Sequence, residues 1–214
     1  MGINKKYCFM IIVVLLLGLA GTALAVDTDW TNNGGDRLWS NAANWALGVP
    51  TAADKAAIRA SIPGPIIDSS TSAAADTVVL GDWSSVGDTL DITGGSLITG
   101  GWFIVSYPAA SDATLNVSGG AITVGSHLDV GFQGTGHMNM TAGSITVNGE
   151  FGLGTNGGSG DVFLDGGTIS CTAFTMTDGS WLDVSGGALI VDGDATATIN
   201  RARIRVTMMF TNPP

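Results

Sequence analysis

The chain has 214 residues, a formal net charge of −10 and a mean hydropathy of +0.35, with 32 glycines against 8 lysines and arginines. Between residues 60 and 200 there is no Lys or Arg, while the same stretch holds thirteen Asp and one Glu. Such a surface repels nucleic acid and anionic membranes, and low charge with abundant Gly, Ser and Thr argues for an all-β chain.

Residues 1–25 stand apart. Lys5 and Lys6 precede an apolar run from Cys8 to Ala20, and Ala23-Leu24-Ala25 is a small-residue cleavage signature. This reads as a secretory signal peptide cut after Ala25. The apolar core is too short, and too broken by Gly18, Gly21 and Thr22, for an anchor helix. Cys8 has no lipobox-like setting, and no second apolar segment follows. No membrane span is therefore expected after cleavage. Val26–Pro214 suits one domain. It holds one cysteine, Cys171, so it has no internal disulfide.

Residues 26–57 gather Trp30, Trp39 and Trp45, followed by Pro50 and Asp54. "PGPIIDSS" and "ADTVVLGDW" then read as one degenerate coil with Ile58, Ile66, Val78 and Leu80 facing inward. From there a phrase returns: LDITGGSLIT at Leu90, LNVSGGAITV at Leu115, MNMTAGSITV at Met138, VFLDGGTISC at Val162 and LDVSGGALIV at Leu182. Starts 20 to 25 residues apart mark a solenoid.

Within each phrase the apolar residues fall two apart, the period of a strand with one buried face. Aligning the phrases gives inward columns. Leu90, Leu115, Met138, Val162 and Leu182 form the first, and Ile92, Val117, Met140, Leu164 and Val184 the second. Leu97, Ile122, Ile145, Ile169 and Leu189 form the third, and Thr99, Val124, Val147, Cys171 and Val191 the fourth. A third strand per repeat adds Phe103, Leu128, Phe151 and Phe174, then Val105, Val130, Leu153 and Met176. Glycines such as Gly94-Gly95 and Gly119-Gly120 mark the corners.

The expected fold is an all-β, single-stranded parallel β-helix (a β-solenoid), right-handed, of about five to six coils over residues 58–200. Its open end requires a cap, which the tryptophans of residues 26–57 can supply. A β-sandwich or β-roll is the competing fold. It would need two-residue hairpin turns, and only Asn148-Gly149 and Asp178-Gly179 offer them. Residues 201–214 break the pattern: Arg201, Arg203 and Arg205 crowd there. They read as an atypical basic tail left by truncation or a frame shift.

The opening "DW…GGD…W…NW…GVP…AD.A.I" and the "LxVSGGxITVGxxLxVG" repeats resemble secreted bacterial parallel β-helix surface proteins of the autotransporter-passenger-like or planctomycete-type repeat kind. The resemblance covers about residues 29 to 200. It implies export and life outside the cell or on its surface, and carries no catalytic residues across.

Candidate chemistry is sparse. Uronate lyase chemistry needs a basic group, and residues 60–200 hold no Lys or Arg, although His127 could in principle act as a base. Asp91 and Asp183 share an outward repeat position, but Asn116, Asn139 and Phe163 intervene. Four rises of about 4.8 Å put them ~19 Å apart, too far for a glycosidase pair. Asp161 and Asp165 are close in sequence, yet Asp165 suits turn capping. His127, Asp129 and Glu150 form the one polar cluster. It could bind a metal or polarise a water, or be a solvated group on a polar face. His137 reads as an exposed loop residue. "GGSGDVFLD" (157–165) approaches a calcium-roll nonapeptide, but Val162 replaces the ligand Asp and nothing repeats at nine residues. Trp83, Trp102 and Trp181 are outward aromatics able to stack on sugars.

No cofactor and no metal follow from these motifs. The expectation is a non-enzymatic secreted or cell-surface solenoid with a structural or adhesive role. Its partners would be extracellular polysaccharide or cell-surface polymers, and its oligomeric state stays open. The alternative is a carbohydrate-binding or polysaccharide-degrading β-helix.

Overall fold

The computed structural model describes residues 25–59, 62–83, 85–197 and 203–206, the last four and Ala197 by their backbone. Residues 1–24 of the expected signal peptide (1–25) and most of the basic tail lie outside the described residues. No described helix is long and apolar enough to cross a membrane.

Two strands of the head, β1 (Asp27–Asp29) and β2 (Lys55–Ile58), lead into coils that each visit three faces in turn. The first coil is β3 (Ile66–Ile67), β4 (Ser72–Ala75) and β5 (Thr77–Leu80). The second is β6 (Val86–Ile92), β7 (Ser96–Thr99) and β8 (Phe103–Val105), and the third is β9 (Asp112–Val117), β10 (Ala121–Val124) and β11 (Leu128–Val130). In the fourth, β12 (Thr135–Met140) is followed by one long strand, β13 (Ser144–Leu153), and in the fifth β14 (Ser159–Leu164) is followed by β15 (Thr168–Met176). The sixth is β16 (Trp181–Val184), β17 (Ala188–Val191) and β18 (Ala195–Ala197), and β19 (Arg203–Val206) opens a further turn.

Face one is a seven-stranded sheet, β3, β6, β9, β12, β14, β16 and β19. Faces two and three form one twelve-stranded sheet, because β13 and β15 run unbroken from one face into the next. Every ladder between named strands is parallel, so the hairpin alternative fails. Asn148-Gly149 lies inside β13, where the register against β15 shifts between Val147 and Glu150. The result is a β-solenoid of about seven turns, more than the five to six expected. The extra length comes from both ends. The degenerate first coil pairs in register, and part of the basic tail, β19, continues face one beside β16.

The columns expected from the repeat meet rung by rung. Leu115 pairs with both Leu90 and Met138, Met138 with Val162, and Val162 with Leu182. Leu97, Ile122, Ile145, Ile169 and Leu189 stack likewise, as do Phe103, Leu128, Phe151 and Phe174. Most of these side chains are fully buried, and each contributes about 1.5–3 kcal/mol of apolar transfer. One rung alone cannot bury this face, so stability resides in stacking. The corner glycines are required where backbones nearly touch. A Cβ on Gly120, which has φ +76°, would lie 2.5 Å from the Gly94 carbonyl oxygen.

One inward assignment is corrected. Ile67, fully buried, pairs with Ile92, while Ile66 pairs with outward Asp91 and is half-buried. Two adjacent isoleucines carry no period-two signal, and a one-residue slip exchanges the faces.

The head closes the N-terminal end. Trp30, Trp39 and Trp45 are buried in the common core, with edge-on ring contacts at 5.1 Å (Trp30–Trp45) and 4.7 Å (Trp39–Trp45). The Trp30 indole donates to the Pro63 carbonyl at 2.9 Å, and the Trp45 indole to the Trp39 carbonyl at 2.8 Å. Leu38 bridges Ile66 in parallel, which places this segment over the first rung of face one.

Candidate functional site

The outward side of face three carries the chemistry. Trp102, His127 and Glu150 immediately precede Phe103, Leu128 and Phe151, which pair in three consecutive rungs. The next outward column runs Val79, Ile104, Asp129, Gly152 and Thr175. The stacking thus brings His127, Asp129 and Glu150 onto neighbouring positions, as their repeat offsets require.

Asp129 is only 5% exposed. Thr155, from the short 3-10 turn after β13, donates its hydroxyl to Asp129 Oδ1 at 2.7 Å. Burial pushes the Asp129 carboxyl above the ordinary range, against the Thr155 hydrogen bond and His127, with Glu150 adding to the rise.

Aromatic rings lie next to it. The Trp102 ring is 4.9 Å from the His127 ring and 5.8 Å, edge-on, from Phe132. Phe132 is in turn 5.8 Å from Tyr107. Trp102 and Tyr107 each remain 37% exposed. Four rings from two loops and two rungs therefore form a partly open shelf beside Asp129. Of these, sequence reasoning singled out Trp102 and His127. Tyr107 and Phe132 were missed because they follow strand ends, at positions the repeat does not align.

Among the described residues no three His, Cys, Asp or Glu side chains are placed to hold a metal ion. A metal at His127, Asp129 and Glu150 is thus not supported by their geometry. Asp91 and Asp183 occupy one outward column separated by Asn116, Asn139 and Phe163. Asp91 anchors a polar ladder. Arg37 pairs with it at 2.6 Å, Asn116 donates to it at 2.8 Å, and Asn139 donates to Asn116 at 3.0 Å.

His137 is not a loop residue. It lies within β12, half-buried, with Nε2 3.7 Å from Asp112 and Nδ1 3.6 Å from Asp161. The calcium-roll-like stretch is likewise mostly strand, β14 from Ser159 onward. Asp165 accepts from Ser185 at the neighbouring corner, as a turn-capping residue does.

The three outward tryptophans do not come together. Trp181 is half-buried on face one, one rung from Asp161. Trp83 is 75% exposed in a loop after β5, with φ +60°. The Arg59 guanidinium sits 4.0 Å over its ring. Arg59 also pairs with Asp29 at 2.6 Å and Asp82 at 3.6 Å, and Lys55 reaches Asp82 at 3.0 Å. A cleft of about 280 Å³ lies among Arg59, Asp82, Trp83 and Ser85. Its two cations neutralise the buried Asp82, so the cluster is satisfied from within. The sequence hint was that Lys55 and Arg59 are two of only three cations in residues 26–200.

No family model, no curated protein and no solved structure matches this chain.

Proposed function

We propose that this is a non-enzymatic secreted or cell-surface solenoid with an adhesive role, and that it holds a neutral extracellular polysaccharide on face three. The observation that supports this is the partly exposed shelf of Trp102, Tyr107, Phe132 and His127 beside the buried carboxyl of Asp129. Flat aromatic rings stack on the C–H faces of sugars, and an adjacent carboxyl group fixes their hydroxyls. The absence of Lys and Arg between residues 60 and 200 disfavours uronate or sulfated polymers.

Asp129 also supports a second reading, polysaccharide hydrolysis. Its raised carboxyl could serve as a general acid, with the neighbouring Glu150 as the second carboxylate. Binding and turnover on insoluble neutral and acidic polysaccharides separate the two. Adhesion predicts retention on a neutral polymer, weakened about tenfold by Trp102→Ala, and no released sugar. Reducing ends that appear with the parent chain and vanish in Asp129→Asn or Glu150→Gln would replace adhesion with hydrolysis. Retention unaffected by Trp102→Ala would remove face three as the contact surface.

A further inference from the structure

The backbone nitrogen of Val26 donates to Asp54 Oδ1 at 3.0 Å. Val26 is the residue that follows the Ala23-Leu24-Ala25 signature. In the uncut chain this nitrogen is an amide. Hydrolysis of the Ala25–Val26 bond adds one water, leaves a carboxylate on Ala25 and frees an amine on Val26. That amine takes up a proton at neutral pH. We propose that export processing occurs at this bond and that the new α-ammonium of Val26 forms an ion pair with Asp54, fastening the head onto the first rungs. This rests on the export reading of residues 1–25.

The surroundings suit a charge at this position. Asp54 is 7% exposed, and its other oxygen, Oδ2, already accepts from the Thr51 backbone at 2.9 Å and the Thr51 hydroxyl at 2.6 Å. Those bonds, with the one from Val26, hold its carboxyl below the usual range. The Thr51 bonds thus favour and orient the carboxylate independently of any charge on the Val26 nitrogen. Val26 itself is 40% exposed, so the two added protons can stay hydrated and little desolvation opposes the pair.

Geometry holds the nitrogen in place from both sides. Lys55 donates its amide to the Val26 carbonyl at 3.0 Å, and β1 starts at Asp27, paired to Lys55. Asp76 donates its amide to the Asp54 carbonyl at 2.8 Å, linking the same residue to the rung beyond. One residue more or fewer at the N-terminus would move the charge off Asp54. The other charged side chains at this corner are Asp27, Lys55, Asp76 and Asp82, and Lys55 lies between Asp27 (3.7 Å) and Asp82 (3.0 Å).

Two measurements test the proposal. Mass spectrometry of the chain exported from a bacterial host should show Val26 as the first residue. Thermal melting should then compare the Val26 chain, a chain beginning one residue earlier at Ala25, and the Asp54→Asn variant of each. The Val26 chain should melt highest, and Asp54→Asn should lower it more than it lowers the Ala25 chain. The ammonium is favoured in the folded state. Its contribution is therefore fully present below the ordinary α-amino value of about 8 and is lost as pH rises beyond it. The Ala25 chain should lack that loss. Equal effects of Asp54→Asn in both chains, or a processed N-terminus other than Val26, would overturn the ion pair while leaving export intact. An exported chain that retains residues 1–25, or no export, would overturn the export reading as well.

Discussion

Thr155 and Asp129, 26 residues apart in sequence, are joined by a 2.7 Å hydrogen bond across neighbouring coils. It reaches a carboxyl group raised by burial and opposes that rise. A carboxyl whose folded value lies above its unfolded value binds protons more readily in the folded state. Stability from this residue is thus greatest in acid and falls as pH rises from the ordinary Asp value through the raised one. Asp129→Asn should remove that fall and keep or raise the melting temperature at neutral pH. The check is the difference between parent and variant melting curves over about pH 4 to 7. A large loss at neutral pH in the variant would mean that the ionised form is the one the fold favours.

Gly152 makes this contact possible. A Cβ there would stand 2.5 Å from Asp129 Oδ1 and 2.7 Å from Thr155 Cγ2. Gly152→Ala should cost about 1–3 kcal/mol in urea unfolding, because both neighbours must shift and the hydrogen bond strains. Thr155→Ala in the same chain should recover part of that loss, since one of the two clashing atoms is removed.

The columns of the core were legible because two signals coincide: alternation within a strand and recurrence between strands. Leu115 could be placed over Leu90 without coordinates for that reason. Where one signal is missing, legibility fails. Ile66 and Ile67 have no alternation, so the pattern does not tell which of them faces inward; in the fold it is Ile67. His137 precedes its phrase by one residue, so the repeat does not reveal that β12 starts at Thr135. The triad of His127, Asp129 and Glu150 followed from repeat offsets, but its aromatic neighbours Tyr107 and Phe132 did not. Loops that fold back over a face obey no period, and the Arg59–Trp83 contact was invisible for the same reason.

Core and surface positions of one strand should respond to very different degrees. Leu97 is fully buried on face two, while its neighbour Ile98 is 55% exposed. Leu97→Ala should cost about 2–5 kcal/mol. Ile98→Thr should stay within about 0.5 kcal/mol, because it removes no packed group. Equilibrium denaturation of the two variants compares them directly, and similar losses would contradict the assigned faces.

The ladder from Arg37 through Asp91 and Asn116 to Asn139 ties the head to three coils of face one. Its members are partly exposed, with the Arg37 and Asp91 side chains at 32% and 26%, so screening keeps the ion pair modest. Arg37 also donates to the Gly64 carbonyl at 2.7 Å, which adds a salt-insensitive component. Arg37→Ala should therefore cost about 1 kcal/mol at low salt and less at high salt. Asn116→Ala removes the link between Asp91 and Asn139, and its effect should depend on Arg37, since both hold the same carboxylate. A double-mutant cycle of Arg37→Ala with Asn116→Ala should give a coupling of about 0.5 kcal/mol or more. Strict additivity would mean that the two ends of Asp91 act independently and that the ladder is a row of separate surface contacts.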